Sequence, residues 1–211
     1  MTAATTLAEQ RVVLRNVSWE AYERLLRDHA EASSPRLFYD RGTLEIMSPS
    51  AKHEQLKDAV TMLIAVIAEE FGLNHRGFGS TTFRREDLAR GFEPDACFYF
   101  ANEPRVRGKE EIDLATDPPP DLVVEIDITR SSIDKMATFA ALEVPEVWRY
   151  DGRRLQFFSL QGREYVEITE SAALPGLTSK AVESFLAESE RMGRLEWLKM
   201  LREWARARKG D

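Results

Sequence analysis

The chain has 211 residues, 43% of them apolar, and a formal net charge of −7. Length and apolar share suffice to bury a full core as one domain, 1–211, with appendages, while the acidic balance gives no general attraction for nucleic acid, so any phosphate contact must be local. No apolar run approaches the roughly 20 residues of a membrane span, Met1–Gln10 lacks the basic and apolar regions of a signal peptide, and the single Cys97 can form no internal disulfide, so a cytoplasmic protein with no membrane partner is expected.

In chain order, Ser18 caps a first helix to about Ala30, with Trp19, Tyr22, Leu25 and Leu26 on its apolar side. Arg36–Tyr39 and Thr43–Met47 flank Asp40-Arg41-Gly42 as a strand pair with a Gly-containing turn. From Ala51 to Phe71 apolar residues recur at helical spacing, and Gly72 closes the segment. His75–Phe83 and Phe92–Phe100 read as two strands, Leu122–Ile128 as a third, and the polar stretch Ala101–Pro120 as a surface loop ended by three prolines. Ser131 followed by Asp134 fits a capping-box variant opening a helix over Ile133–Leu142. Glu146–Tyr150, Leu155–Leu160 and Tyr165–Ile168 form a meander, and a C-terminal helix carries Trp197, Leu201 and Trp204 on one stripe, suited to core packing or to a homodimer contact. The order from 51 to 150 is therefore helix, strand, strand, strand, helix, strand: an α/β protein with a mixed sheet.

Three basic spots are candidates for local phosphate contacts: Arg84, Arg85 and Arg90; Arg105, Arg107 and Lys109; and the tail from Arg191 to Lys209. Each is interspersed with acids, which reads as a solvated face.

Chemistry concentrates in the third strand. Alternation puts Glu125 and Asp127 on one face and Leu122, Val124, Ile126 and Ile128 on the other. Two such charges about 4 Å apart repel by about 4 kcal/mol at an effective dielectric near 20. A divalent cation, a lysine or a proton must offset that. Lys135 stands in the first turn of the following helix, where the helix dipole disfavours a cation, and on the stripe of Phe139 and Leu142. That placement calls for an acidic partner. Asp95, after Pro94, opens the neighbouring strand with Cys97 and Tyr99 on its face. Asp95 and Glu125 can together clamp Mg²⁺, which commonly takes one or two protein carboxylates and keeps waters. On the 51–71 helix, His53 falls near Val60 and Ile64 on the buried side and Glu54 on the polar side, so position favours His53 as the site residue of that helix. Ser131 and Ser132 lack the G-x-S-x-G elbow of a serine hydrolase.

The pattern Pro94-Asp95, Glu125 on an apolar strand, and then a lysine resembles the PD-(D/E)XK nuclease fold. Met47-Ser48-Pro49 with His53, Phe92-Glu93-Pro94-Asp95, Pro120-Asp121-Leu122-Val123-Val124-Glu125, Asp134-Lys135 and Val144-Pro145-Glu146-Val147-Trp148 together resemble the Uma-two family of restriction-endonuclease-like proteins, over about residues 35–160. The resemblance implies a restriction-endonuclease-like core and a DNA-cleaving hydrolase dependent on Mg²⁺ or Mn²⁺. Asp95 and Glu125 would then bind the metal, and His53 or Glu54 would fill the first-helix position. The superfamily lysine stands two residues after the glutamate, where this chain has Asp127, and the resemblance implies that Lys135 supplies the ammonium instead. Asp127 is then either a further metal ligand or the mark of a site that has lost its chemistry. The alternative function is a non-catalytic nucleic-acid or protein-binding module with a degenerate nuclease site.

Overall fold

A computed structural model describes residues 9–29, 34–128 and 134–208. Two sheets carry the described chain. In the five-stranded sheet, β1 (Gln10–Leu14), β3 (Thr43–Ser48), β2 (Arg36–Asp40), β6 (Arg90–Phe92) and β5 (Phe83–Arg85) lie side by side, all antiparallel. The six-stranded sheet runs β11 (Glu164–Ile168), β10 (Leu155–Gln161), β9 (Glu146–Tyr150), β8 (Leu122–Ile126), β7 (Ala96–Tyr99) and β4 (Arg76–Gly77). Among the described residues its one parallel pair is β8 with β9, joined through α4 (Lys135–Ala141) as a crossover.

Local chemistry sets the elements that frame the site. Ser18 caps α1 (Trp19–Asp28), accepting from the Ala21 amide at 3.2 Å. The β2–β3 turn places Arg41 and Gly42 at φ of 45° and 89°, the two positive values a tight hairpin requires. Ser50 caps α2 (Ala51–Phe71) by accepting from the His53 amide at 3.2 Å, which fixes His53 in the first turn. The helix over Ile133–Leu142 is shorter than expected: it spans Lys135–Ala141, with Asp134 as its cap, accepting from the Ala137 amide at 3.3 Å. Ser131 lies outside the described residues.

The side-chain parity of β8 divides the interior. Leu122, Val124 and Ile126 pack with Val60, Ile64 and Ile67 of α2 and with α5 (Ser179–Ser189) and α6 (Arg194–Arg208). On the opposite face Val123 packs with Val147, Phe139 of α4, and Phe38 and Phe92 of the five-stranded sheet, so the two sheets meet across this second core. On the outer face of the five-stranded sheet, Tyr22 of α1 stacks on Tyr39 at 4.7 Å between ring centroids.

Several expectations are corrected. The strand anticipated over His75–Phe83 is two fragments in different sheets, β4 and β5, and the one over Phe92–Phe100 is broken into β6 and β7. Pro94 has no amide hydrogen to continue a ladder, so the chain leaves the five-stranded sheet after Phe92 and enters the six-stranded sheet at Ala96. Strand β1, unanticipated, rests on the short Val12-Val13-Leu14 run and pairs along the whole of β3. The 101–120 loop contains a short helix, α3 (Glu103–Val106), and buries Val106 and Leu114. Of the two uses expected for the C-terminal stripe, core packing or a homodimer contact, the first is present: Trp197 and Leu201 are buried in the core with α2 and α5, and Trp204 packs edge-on against Phe185.

Candidate active site between the two sheets

Charged side chains gather where the two sheets face each other. Extending the β7–β8 register by one residue sets Asp95 opposite Glu125, and the Asp95 carboxylate caps the edge of β8, its Oδ2 accepting from the Ile126 amide at 2.5 Å. Its Oδ1 receives His53 Nε2 at 2.8 Å and also the Arg36 guanidinium. Arg36 and Phe38 share the inward face of β2. The second terminal nitrogen of Arg36 reaches Glu54 at 2.6 Å, and its Nε is buried without a hydrogen-bond partner among the described residues. His53 is fully buried, and its Nδ1 lies 2.9 Å from Glu9. Helix α2 thus contributes both candidates, His53 to Asp95 directly and the half-exposed Glu54 through Arg36.

The β8 acids lie beside this group. Lys135, the first residue of α4, reaches back to Glu125, with its ammonium 3.7 Å from Asp127 Oδ1 and 5.8 Å from the Phe38 ring centroid. Burial pushes the Glu125 pKa up; Lys135 opposes the rise and Asp127 adds to it. Burial works against the Lys135 charge, yet Glu125 and Asp127 outweigh it and hold the ammonium pKa above its ordinary value. Asp127 Oδ2 accepts from Arg149 Nε at 2.8 Å, while Oδ1 is buried with no hydrogen-bond partner among the described residues and lies between Lys135 and Arg11, each at 3.7 Å. Arg11 also bonds the buried Glu45 at 2.6 Å, and its pKa is raised: burial opposes the charge, but Glu45, Glu9 and Asp127 outweigh it. A cavity of about 140 Å³ opens among Glu125, Asp127, Asp134, Lys135, Phe139 and Arg149.

The structure therefore brings together all five residues singled out from the sequence: His53, Asp95, Glu125, Asp127 and Lys135. It adds Arg11, Arg36, Glu45 and Arg149, which sequence reasoning missed. Charged residues at inward positions of apolar strands were the available signal: Arg36 two before Phe38, Glu45 between Leu44 and Ile46, and Arg149 after Trp148. Among the described residues no group of three or more His, Cys, Asp or Glu side chains is arranged to hold a metal ion as it stands. Cys97 is a buried strand residue whose thiol faces the Gly79 carbonyl at 3.5 Å, its pKa pushed up to about 12 by burial.

Most of the charges in the basic spots are paired with acids. Arg84 meets Glu23, Arg85 meets Asp87, and Arg90 meets Asp40. Arg107 meets Glu103, Lys109 meets Asp117, and in the tail Arg194, Arg202 and Arg206 bond Asp58, Glu69 and Glu70. A wider hollow of about 930 Å³ by α1 is lined by several of these compensated charges.

The succession α2, β4, β7, β8, α4, β9, with acids meeting across β7 and β8 and a lysine on the β8 glutamate, defines a restriction-endonuclease-like fold. The chain belongs to the Uma2 family, described as "putative restriction endonuclease", whose model matches residues 19–188. A crystal structure of "a putative nuclease belonging to DUF820" from Anabaena variabilis ATCC 29413 is similar, with a TM-score of 0.51 and 16% identity, covering 76% of this chain and 98% of that one. At that identity the likeness is one of fold. No curated protein matches.

Proposed function

We propose that this protein is a divalent-metal-dependent endonuclease, using Mg²⁺ or Mn²⁺ to hydrolyse DNA phosphodiester bonds. The observation that carries this reading is Lys135: a buried ammonium delivered from the next helix onto Glu125, beside Asp127 and next to Asp95 in register. Restriction-endonuclease-like proteins generally use divalent metals, and the donors here suit one. Glu125 and Asp127 offer hard oxygens at a small cavity, and Asp127 Oδ1 has no hydrogen bond from the described residues. These two carboxylates would hold the ion, with Asp95, opposite Glu125 in register, as the third carboxylate of the set. When bound, the ion supplies a Lewis acid that polarises a phosphoryl oxygen and acidifies a water. The chain's own part is positional and electrostatic. Lys135, kept charged by its carboxylate partners, places positive charge where negative charge develops on the phosphoryl oxygens. His53, wedged between Glu9 and Asp95, fixes the Asp95 carboxylate.

Incubating the purified protein with plasmid and Mg²⁺ or Mn²⁺ tests this. Nicking is expected from the parent and not from Asp95→Ala or Glu125→Ala; a parent that never nicks, or variants that nick equally, would end the reading.

One observation favours a second reading, a nucleic-acid or protein-binding module whose site no longer turns over. Both Asp95 oxygens are occupied by protein donors, Ile126, His53 and Arg36. Calorimetric titration with Mn²⁺ separates the two, because Asp95-dependent binding supports the enzyme and its absence supports the module.

A further inference from the structure

Only one oxygen of Asp127 faces the lysine; the other is bonded to Arg149, a residue outside the metal-holding set. In the parallel β8–β9 pair Glu125 is directly opposite Arg149, and side chains opposite one another share a face, as Val123 and Val147 do in the core. The guanidinium therefore stands beside the two β8 acids. Its Nε donates to Asp127 Oδ2 at 2.8 Å. That single bond fixes the plane of the group and leaves both terminal nitrogens without a protein partner among the described residues. The side chain is 41% exposed and lines the 140 Å³ cavity. Arg85, Arg107, Arg202 and Arg206 each give a terminal nitrogen to a carboxylate, whereas Arg84 and Arg90, like Arg149, pair through Nε; of these three, Arg149 is the one that lines the cavity beside Glu125 and Asp127.

We propose that Arg149 is the phosphate anchor of this site, its terminal fork taking two non-bridging oxygens of a nucleic-acid phosphodiester, and that Asp127 is the positioning carboxylate that aims it. The proposal rests on the endonuclease reading above and names the contact by which that site recognises its substrate. A guanidinium held through Nε presents parallel N–H donors at the spacing of phosphate oxygens. The chemistry of the lining points to a phosphate bound together with a cation. Glu125, Asp127 and Asp134 would repel a bare anion, and Lys135 is already committed to Glu125 and Asp127. Arg149 is then the lining cation with donors to spare. An acid two residues after Glu125, in the place of the superfamily lysine, acquires a purpose: it orients the arginine while Lys135 takes over the ammonium's position.

Fluorescence anisotropy of a labelled duplex oligonucleotide, with Ca²⁺ replacing Mg²⁺ and over a salt series, tests the anchor. Arg149→Ala is expected to weaken binding about tenfold or more. It should also reduce the slope of log K against log salt by about 0.9, one phosphate contact's worth. Arg149→Lys keeps the charge and the pairing with Asp127 but loses the fork, and should retain most of the slope while recovering only part of the affinity. Mn²⁺ affinity by calorimetry should be retained or raised in Arg149→Ala, because Asp127 loses a cation that is paired with it. Arg149→Ala with the parent's affinity and slope would overturn the anchor while leaving the nicking assay to judge the endonuclease reading. Loss of Mn²⁺ binding in Arg149→Ala would also overturn it, by placing the arginine in support of the metal. A parent that binds no duplex would overturn both.

Discussion

Replacing Lys135 with Met removes one charge of a buried pair and leaves volume nearly unchanged. Lys135 and Glu125 retain 11% and 3% side-chain exposure, so neither can turn to water without opening the space between the sheets. Two unit charges 4 Å apart attract by about 4 kcal/mol at an effective dielectric near 20, and stripping one partner from a buried pair costs about 3–5 kcal/mol because the other is left uncompensated. For a chain of this length each kcal/mol moves Tm by about 2–4 °C, so Lys135→Met should melt roughly 6–20 °C below the parent at pH 8. The pH dependence has a definite sign. Glu125 has a raised folded pKa, from burial and from Asp127, and loses the lowering influence of Lys135 in the variant. The folded variant then binds more protons than the unfolded chain between the ordinary glutamate value, about 4.3, and the raised one. Stability therefore falls as pH rises through that window, and the gap between variant and parent should narrow from pH 8 to pH 5. In the parent, the raised Lys135 pKa contributes stability that is fully present below the ordinary lysine value, about 10.4, and lost as pH rises through the folded value. Adding Glu125→Gln to Lys135→Met should recover much of the loss, since no buried charge then lacks its partner. Thermal melts by circular dichroism check all of this. A Lys135→Met protein that melts within about 2 °C of the parent at pH 8, or a gap that widens on acidification, would refute the reasoning.

Other outcomes follow from specific contacts. A Cβ at Gly91 would lie 2.3 Å from the Tyr22 hydroxyl and 2.8–2.9 Å from its ring, so Gly91→Ala should cost about 1–3 kcal/mol by chemical denaturation; a neutral substitution would mean that α1 is not packed there. Trp197 is buried and donates to the Phe185 carbonyl at 2.8 Å. Trp197→Ala should destabilise by about 3–5 kcal/mol with the sedimenting mass unchanged, whereas a lower mass would restore the dimer role of the stripe. If Arg36 occupies Asp95 in place of a cation, Arg36→Met should bind Mn²⁺ more tightly in calorimetry; equal or weaker binding would show that the arginine does not compete.

Much of the site was legible in one dimension because its logic is local. Period-two alternation alone puts Glu125 and Asp127 on a common face, and a first-turn lysine on an apolar stripe announces an acidic partner. The helical wheel of 51–71 was enough to turn His53 inward, where it is fully buried. What the sequence concealed depends on contacts between elements far apart in the chain. The break at Pro94 reads as an ordinary strand opening, and only strand pairing reveals that the chain changes sheets there and so carries Asp95 to the gap between them. Arg11, Arg36 and Glu45 look like surface residues of short strands until the second sheet covers their face. The register of β9 on β8 is set by packing on both faces of the sheet, with no local signal, and that register places Arg149 beside Asp127. Residue type and spacing determined which side chains carry charge and which way each strand turns them; tertiary structure alone decided which charges meet, because a buried ion selects its partner across the fold rather than along the chain.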